Sequence, residues 1–279
     1  VTLFVIGIIL TAALLHAVWN AIVKTAADRT TMLGLVALGH VIPASVMVLL
    51  LPLPTAESFQ YILLSTVVHF GYYFMLGKAY QHGDLSVVYP IARGIVPALV
   101  SLWAMLLVGE VLPWQAWGGI ALIALGIQLS SWRALRSGVG RSALGFALGT
   151  GFCISIYSVV DGIGVRLSGN TLSYWAWGAF LHLFIAGFIG IRKRAVLTEL
   201  PAKVWMIGIL GGLVSMTAYG LVLYAKNFAP LGAVSALRET SVIFAALIGF
   251  IFLHEGNWIR RLGAAALMAV GVALIGMAV

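Results

Sequence analysis

Arg93, Arg238 and Glu239 stand in stretches that are otherwise apolar. An ionised side chain within hydrocarbon costs about 2.5–3.5 kcal/mol on insertion scales, so each needs a physical reason to be there. A guanidinium is a planar fork that matches a carboxylate with two parallel hydrogen bonds. Arg93 or Arg238 facing a polar cavity would therefore bind the anionic group of a small molecule. The structural alternative is a side chain reaching for the headgroups, or an ion pair with Asp161 or Glu239. Glu239 cannot face Arg238 from the adjacent position on one helix, so their partners lie on other segments.

Other polar and aromatic residues fall at helical spacing around these charges. His16, Trp19 and Asn20 share a face at i, i+3 and i+4, and His69, Tyr73 and Tyr80 share another. Ser86, Tyr89 and Arg93 align on a segment loosened by Pro90 and Pro97, and Ser215, Met216 and Tyr219 align on a later one. Singly, such aromatics read as lipid or core packing; grouped on several segments, they read as a cavity lining. Their faces would receive an ammonium or pack an apolar side chain. The candidate substrate-binding set is thus His16, Trp19, Asn20, Tyr73, Tyr80, Tyr89, Arg93, Tyr157, Tyr219, Arg238 and Glu239. Asp161, Glu110 and Glu255 read as interfacial or structural carboxylates.

Nothing in the chain points to catalysis. The H-E-x-x-H and G-x-S-x-G motifs and a phosphate-binding loop are absent; Gly71 … Gly77-Lys78 is one residue too long for the last. His16, His40, His69, His82, His182 and His254 show no metal-ligand spacing, and Cys153 is the single cysteine. The expectation is no enzyme, no metal and no cofactor. The alternatives to a carrier are an intramembrane enzyme and a membrane-embedded subunit or receptor.

The elements that position these residues follow from composition. Of 279 residues 62% are hydrophobic and 9% charged, whereas soluble domains are near a quarter charged. The apolar residues come in runs of about twenty, enough to span ~30 Å of hydrocarbon as helix. Ten spans are predicted, at 2–23, 32–51, 59–80, 85–108, 114–132, 142–165, 172–191, 203–225, 231–253 and 258–278. The first, without a basic leader or cleavage pattern, reads as a span and not a signal peptide. The net charge of +8 reflects loop asymmetry and not a nucleic-acid partner. Lys24, Arg29, Lys78, Arg133, Arg136, Arg141, Arg192, Lys193, Arg194, Lys203, Arg260 and Arg261 flank one side, and only Arg166 and Lys226 the other. The positive-inside bias then puts both termini on the periplasmic side of a bacterial inner membrane.

The chain also repeats itself. Arg93-Gly94, Gly109-Glu110, Gly118-Gly119 and Gly126 recur 145 positions on as Arg238-Glu239, His254-Glu255, Gly263-Ala264 and Gly271. The halves are 1–133 and 142–279, joined by a basic linker at 134–141. Five spans per half is an odd number, so the two lie inverted, an arrangement of carriers whose site sits between the halves. The fold class is an all-α membrane protein of two inverted five-helix repeats. The small residues of spans five and ten, among them Gly118, Gly119, Gly126 and Gly271, read as close packing.

On the helix-end pairs Gly109-Glu110 and His254-Glu255, each followed by a glycine-punctuated helix, and on His16 … Trp19-Asn20 … Lys24, the sequence resembles the EamA family of the drug/metabolite transporter superfamily. The resemblance extends over nearly the whole chain and implies a secondary carrier, and the members it resembles include YddG-type exporters of aromatic and other amino acids. Related small multidrug transporters carry a proton-exchanging Glu in the first helix. His16 stands at what looks like that position, which implies facilitated or only weakly proton-linked transport. The implied partners are a small-molecule substrate and the bilayer, with the chain a monomer or homodimer.

Overall fold

The computed structural model describes residues 1–82, 85–130, 140–251 and 258–279. His254-Glu255, Gly83-Asp84 and all but the last two residues of the expected 134–141 linker lie outside the described residues, as do the side chains of Tyr80 and Tyr89. The described residues form fourteen helices and no strand: α1 Leu3–Thr25, α2 Arg29–Leu50, α3 Ala56–His82, α4 Leu85–Gly94, α5 Val96–Val108, α6 Trp114–Ser130, α7 Arg141–Leu167, α8 Thr171–Phe180, α9 His182–Arg192, α10 Arg194–Glu199, α11 Ala202–Ala225, α12 Leu231–Arg238, α13 Ser241–Ile251 and α14 Trp258–Ala278. Among them, seven stretches are long and apolar enough to cross a membrane, including Pro90–Val108 and Thr171–Arg192. Leu49, Leu106, Ile191 and Met277 are exposed on the outside, where only hydrocarbon would match them. Helical throughout the secondary structure of its described residues, the protein is a multi-pass membrane protein.

Local chemistry starts and stops these helices. Asp28 caps α2 by accepting from the Thr30 and Thr31 N–H groups, and Asn170 caps α8 through Leu172 and Ser173. Gly109 ends α5 in the left-handed region, at φ 74°.

Three of the expected spans are each two helices. Residues 85–108 break at Ile95, between α4 and α5. Pro97 has no N–H for the Arg93 carbonyl, and its ring crowds that carbonyl. Residues 231–253 break at Glu239-Thr240, where Glu239 N–H turns back to the Ala236 carbonyl at 3.0 Å and Thr240 N–H to that of Leu237 at 3.2 Å. Ile95 and Thr240 are 145 positions apart. The third break is at Leu181, between α8 and α9.

Packing brings distant segments together. Helix α3 lies along α7 and α1 along α11; α4 and α5 pack on α7 as α12 and α13 pack on α1. Helix α6 pairs with α14, α5 with α12, and α2 with α8, α9 and α11. The α6–α14 contact depends on missing side chains. A Cβ on Gly119 would stand 2.6 Å from the Gly271 carbonyl oxygen, and one on Gly271 would stand 2.6 Å from that of Gly119. Ile9, Ile123, Ile127, Leu237, Met268 and Ile275 form the main apolar cluster beside this seam.

Candidate functional site

Helices α1, α2, α3, α4, α7, α9, α11 and α12 surround a cavity of about 120 Å³ with a mixed polar and apolar wall. Helix α1 contributes His16, Trp19 and Asn20. Trp19 Nε1 donates to His16 Nδ1 at 3.1 Å, and Asn20 Nδ2 donates to the His16 carbonyl at 2.8 Å. The triad is therefore tied together before any ligand arrives. Helix α3 contributes His69, Tyr72 and Tyr73, α7 contributes Thr150 and Tyr157, and α11 contributes Ser215 and Tyr219. Arg93 reaches the wall from the end of α4 and Arg238 from the end of α12, each next to a helix break.

The two arginines are in different situations. Arg93 Nε donates to Glu239 Oε2 at 2.8 Å, with the two side chains 4% and 1% exposed. Glu239 lies behind the wall and balances that guanidinium, so this pair is the structural alternative open to Arg93 from its sequence. Arg238 is 7% exposed and donates no hydrogen bond among the described residues. Its guanidinium carbon lies 5.8 Å from the centre of the Tyr219 ring.

Tyr219 leads to a second cluster. Its hydroxyl donates a short hydrogen bond to Asp161 Oδ2, while Tyr174 donates to Asp161 Oδ1 at 2.9 Å. Lys226 Nζ lies 5.6 Å from the Tyr219 ring centre and donates to the Ser158 carbonyl at 2.8 Å. Asp161 borders a smaller void of about 30 Å³, which shares His40, His69, His182 and Tyr219 with the larger one. The His40 and His182 rings are 4.7 Å apart, those of His69 and His182 5.6 Å, and His69 stacks on Tyr157 at 4.1 Å. His69 Nδ1 and His182 Nδ1 each face a backbone carbonyl, of Ser65 at 2.8 Å and Gly178 at 3.0 Å. A carbonyl only accepts, so both rings carry their proton on Nδ1. No group of three or more metal-ligating side chains stands in metal-holding positions among the described residues.

Of the residues singled out from sequence, His16, Trp19, Asn20, Tyr73, Arg93, Tyr157, Tyr219 and Arg238 line the cavity. Glu239 touches it only through Arg93, and the side chains of Tyr80 and Tyr89 lie outside the described residues. Sequence reasoning missed His40, Tyr72 and His182 as lining residues. The available signal was a lone histidine inside an apolar helix, in α2 and again in the α8–α9 stretch.

One end of the bundle is latched. Arg166 Nη1 donates to Glu110 Oε1 at 2.6 Å, while its other nitrogens donate to the carbonyls of Lys226 at 2.8 Å and Ala229 at 3.0 Å. Glu110 Oε2 accepts the Leu231 N–H at 2.7 Å. The ends of α5, α7, α11 and α12 are thereby joined. At the opposite end, Val23 and Arg29 belong to the cavity wall, and Lys193 Nζ meets Asp28 Oδ2 at 2.8 Å.

Comparison with known proteins agrees with this architecture. A solved structure, described only as a crystal structure of a protein, superposes with a TM-score of 0.77 over 98% of this chain and 98% of its own, at 17% sequence identity. At that identity the likeness is one of fold. No curated protein matches the chain. Residues 141–277 match the EamA-like transporter family, so the second half of the chain carries the sequence pattern of a membrane transporter.

Proposed function

We propose that the whole chain is a secondary carrier of the EamA type in the drug/metabolite transporter superfamily. It exports amino acids, aromatic ones among them as in YddG-type exporters, or similar small carboxylate-bearing metabolites, by alternating access. The observation that carries this reading is the cavity itself, walled by α1 to α4 on one side and α7, α9, α11 and α12 on the other. Interrupted helices at corresponding positions of two halves are where carriers bind their cargo, and the breaks at Ile95 and Thr240 flank this cavity.

Two inverted five-segment halves account for the packing. Exchanging the halves converts the α3–α7 contact into α11–α1, and the contacts of α4 and α5 with α7 into those of α12 and α13 with α1. Adding α6, the α12–α13 pair and α14 to the seven long apolar stretches gives ten crossings. The asymmetry of Lys and Arg between the two sides favours a bacterial inner membrane with both termini periplasmic. The Arg166–Glu110 latch then closes the periplasmic end. On this reading the chain moves its cargo without chemistry on it, as a monomer or homodimer.

The test is counterflow of radiolabelled amino acids in liposomes containing purified protein. Accumulation against internal unlabelled substrate, absent from protein-free liposomes, is expected. Its failure across amino acids and small organic acids alike would overturn the carrier reading.

A further inference from the structure

A buried guanidinium without a hydrogen-bonding partner is a costly thing to keep beside a cavity, because its desolvation is offset only when its N–H groups are satisfied. Arg238 comes close to that position: it is 7% exposed, turns its guanidinium to the cavity, packs against the Tyr219 ring, and donates no hydrogen bond among the described residues. Glu239, the nearest carboxylate in sequence, is already engaged by Arg93. Asp161 accepts from two tyrosines and faces the smaller void, with Tyr219 between it and Arg238. Among the described residues no Asp or Glu lines the larger cavity, whereas Arg29, Arg93 and Arg238 do.

We infer that Arg238 is the anion-recognition residue of this cavity, and that the cargo is selected by one negative charge, as a small monocarboxylate. An ammonium on the cargo is neither required nor matched by an ionic partner. This rests on the carrier reading above and narrows its substrate class. A carboxylate on the Arg238 fork completes the missing hydrogen bonds, while a cation would meet three arginines and no carboxylate. A cavity of about 150 Å³ holds one benzene. At about 120 Å³ the cavity suits an aliphatic acid of a few carbons better than a large ring system.

The experiment uses purified full-length protein in liposomes and three probes of one shape: 3-methylbutanoate, valine and 2-methylpropylamine. These carry a carboxylate alone, both groups, and an ammonium alone. Counterflow of 3-methylbutanoate is expected to equal or exceed that of valine, with none for the amine. Arg238→Gln should raise the half-saturating concentration of 3-methylbutanoate tenfold or more and Arg238→Lys by less, each in protein that remains monodisperse. The wild-type probe series stands on its own if the Gln variant does not fold. Transport of the amine as good as that of the acid, or an unchanged half-saturating concentration in folded Arg238→Gln, overturns the inference and leaves the carrier reading intact. Movement of none of the three, nor of any other amino or organic acid, overturns both.

Discussion

Arg93 and Glu239 are 146 positions apart in the chain, yet Nε and Oε2 meet at 2.8 Å with both side chains almost wholly buried. The contact joins α4 to the break after α12. Removing one member strands a charge in a medium that cannot solvate it, at a cost of about 3–5 kcal/mol. Glu239→Ala or Arg93→Ala should therefore lower the thermal unfolding temperature in detergent by far more than a surface substitution. Arg93→Met combined with Glu239→Met should cost less than either charge removed alone. A double change costing as much as the two singles together would mean that the groups do not act as a pair.

The α6–α14 seam makes a steric prediction. Gly119 and Gly271 approach so closely that a methyl group on either meets the opposing carbonyl oxygen at 2.6 Å. Gly119→Ala should cost about 1–3 kcal/mol, the usual range for overpacking, and Gly119→Leu should abolish monodisperse protein. Gly118, one position away, has open space around its Cβ position, so Gly118→Ala should be nearly silent. Size-exclusion profiles of the three variants provide the check.

At the latched end, Glu110 serves Arg166 and the Leu231 N–H at once. Glu110→Gln keeps an acceptor for the N–H and loses the ion pair, for about 1 kcal/mol at this partly exposed site. Glu110→Ala also leaves the start of α12 without its acceptor, adding about 1 kcal/mol. The order wild type, Gln, Ala in unfolding temperature is expected; equal stability of the two variants would show that the acceptor at Leu231 contributes nothing.

Asp28 gives a pH dependence. Partial burial works to raise its carboxyl, but the Lys193 ammonium and the Thr31 N–H and hydroxyl outweigh that and hold it below the ordinary carboxylate range. A depressed folded value stabilises the fold above the ordinary carboxylate pKa, and that stability is lost as pH falls through the folded value. Asp28→Asn keeps the cap, so it should cost up to about 1 kcal/mol at pH 7. The difference from wild type should shrink towards zero as both are unfolded at progressively lower pH. A difference constant from pH 7 down to below pH 3 would exclude the Lys193 pair as its origin.

Apolar runs of about twenty residues with scarce charge leave the backbone no partner but itself, so helix and membrane were legible in the sequence. The same holds for the faces of His16-Trp19-Asn20 and of Tyr73, because helical periodicity is a local property. Pro97 announced the break beside Arg93, while the break at Glu239-Thr240 had only its counterpart in the other half to announce it. Which arginine would be engaged was not legible. Arg93 and Arg238 occupy corresponding positions of the two halves, and only the tertiary packing that lays α5 on α12 brings Glu239 to the first. His40 and His182 are 142 positions apart, on different helices, and their rings come within 4.7 Å only after α2 packs on α9. Spacing along one helix determines which side chains share a face. What that face meets depends on how helices cross, which is decided by packing of the whole bundle, down to two glycines whose missing methyl groups let α6 and α14 touch.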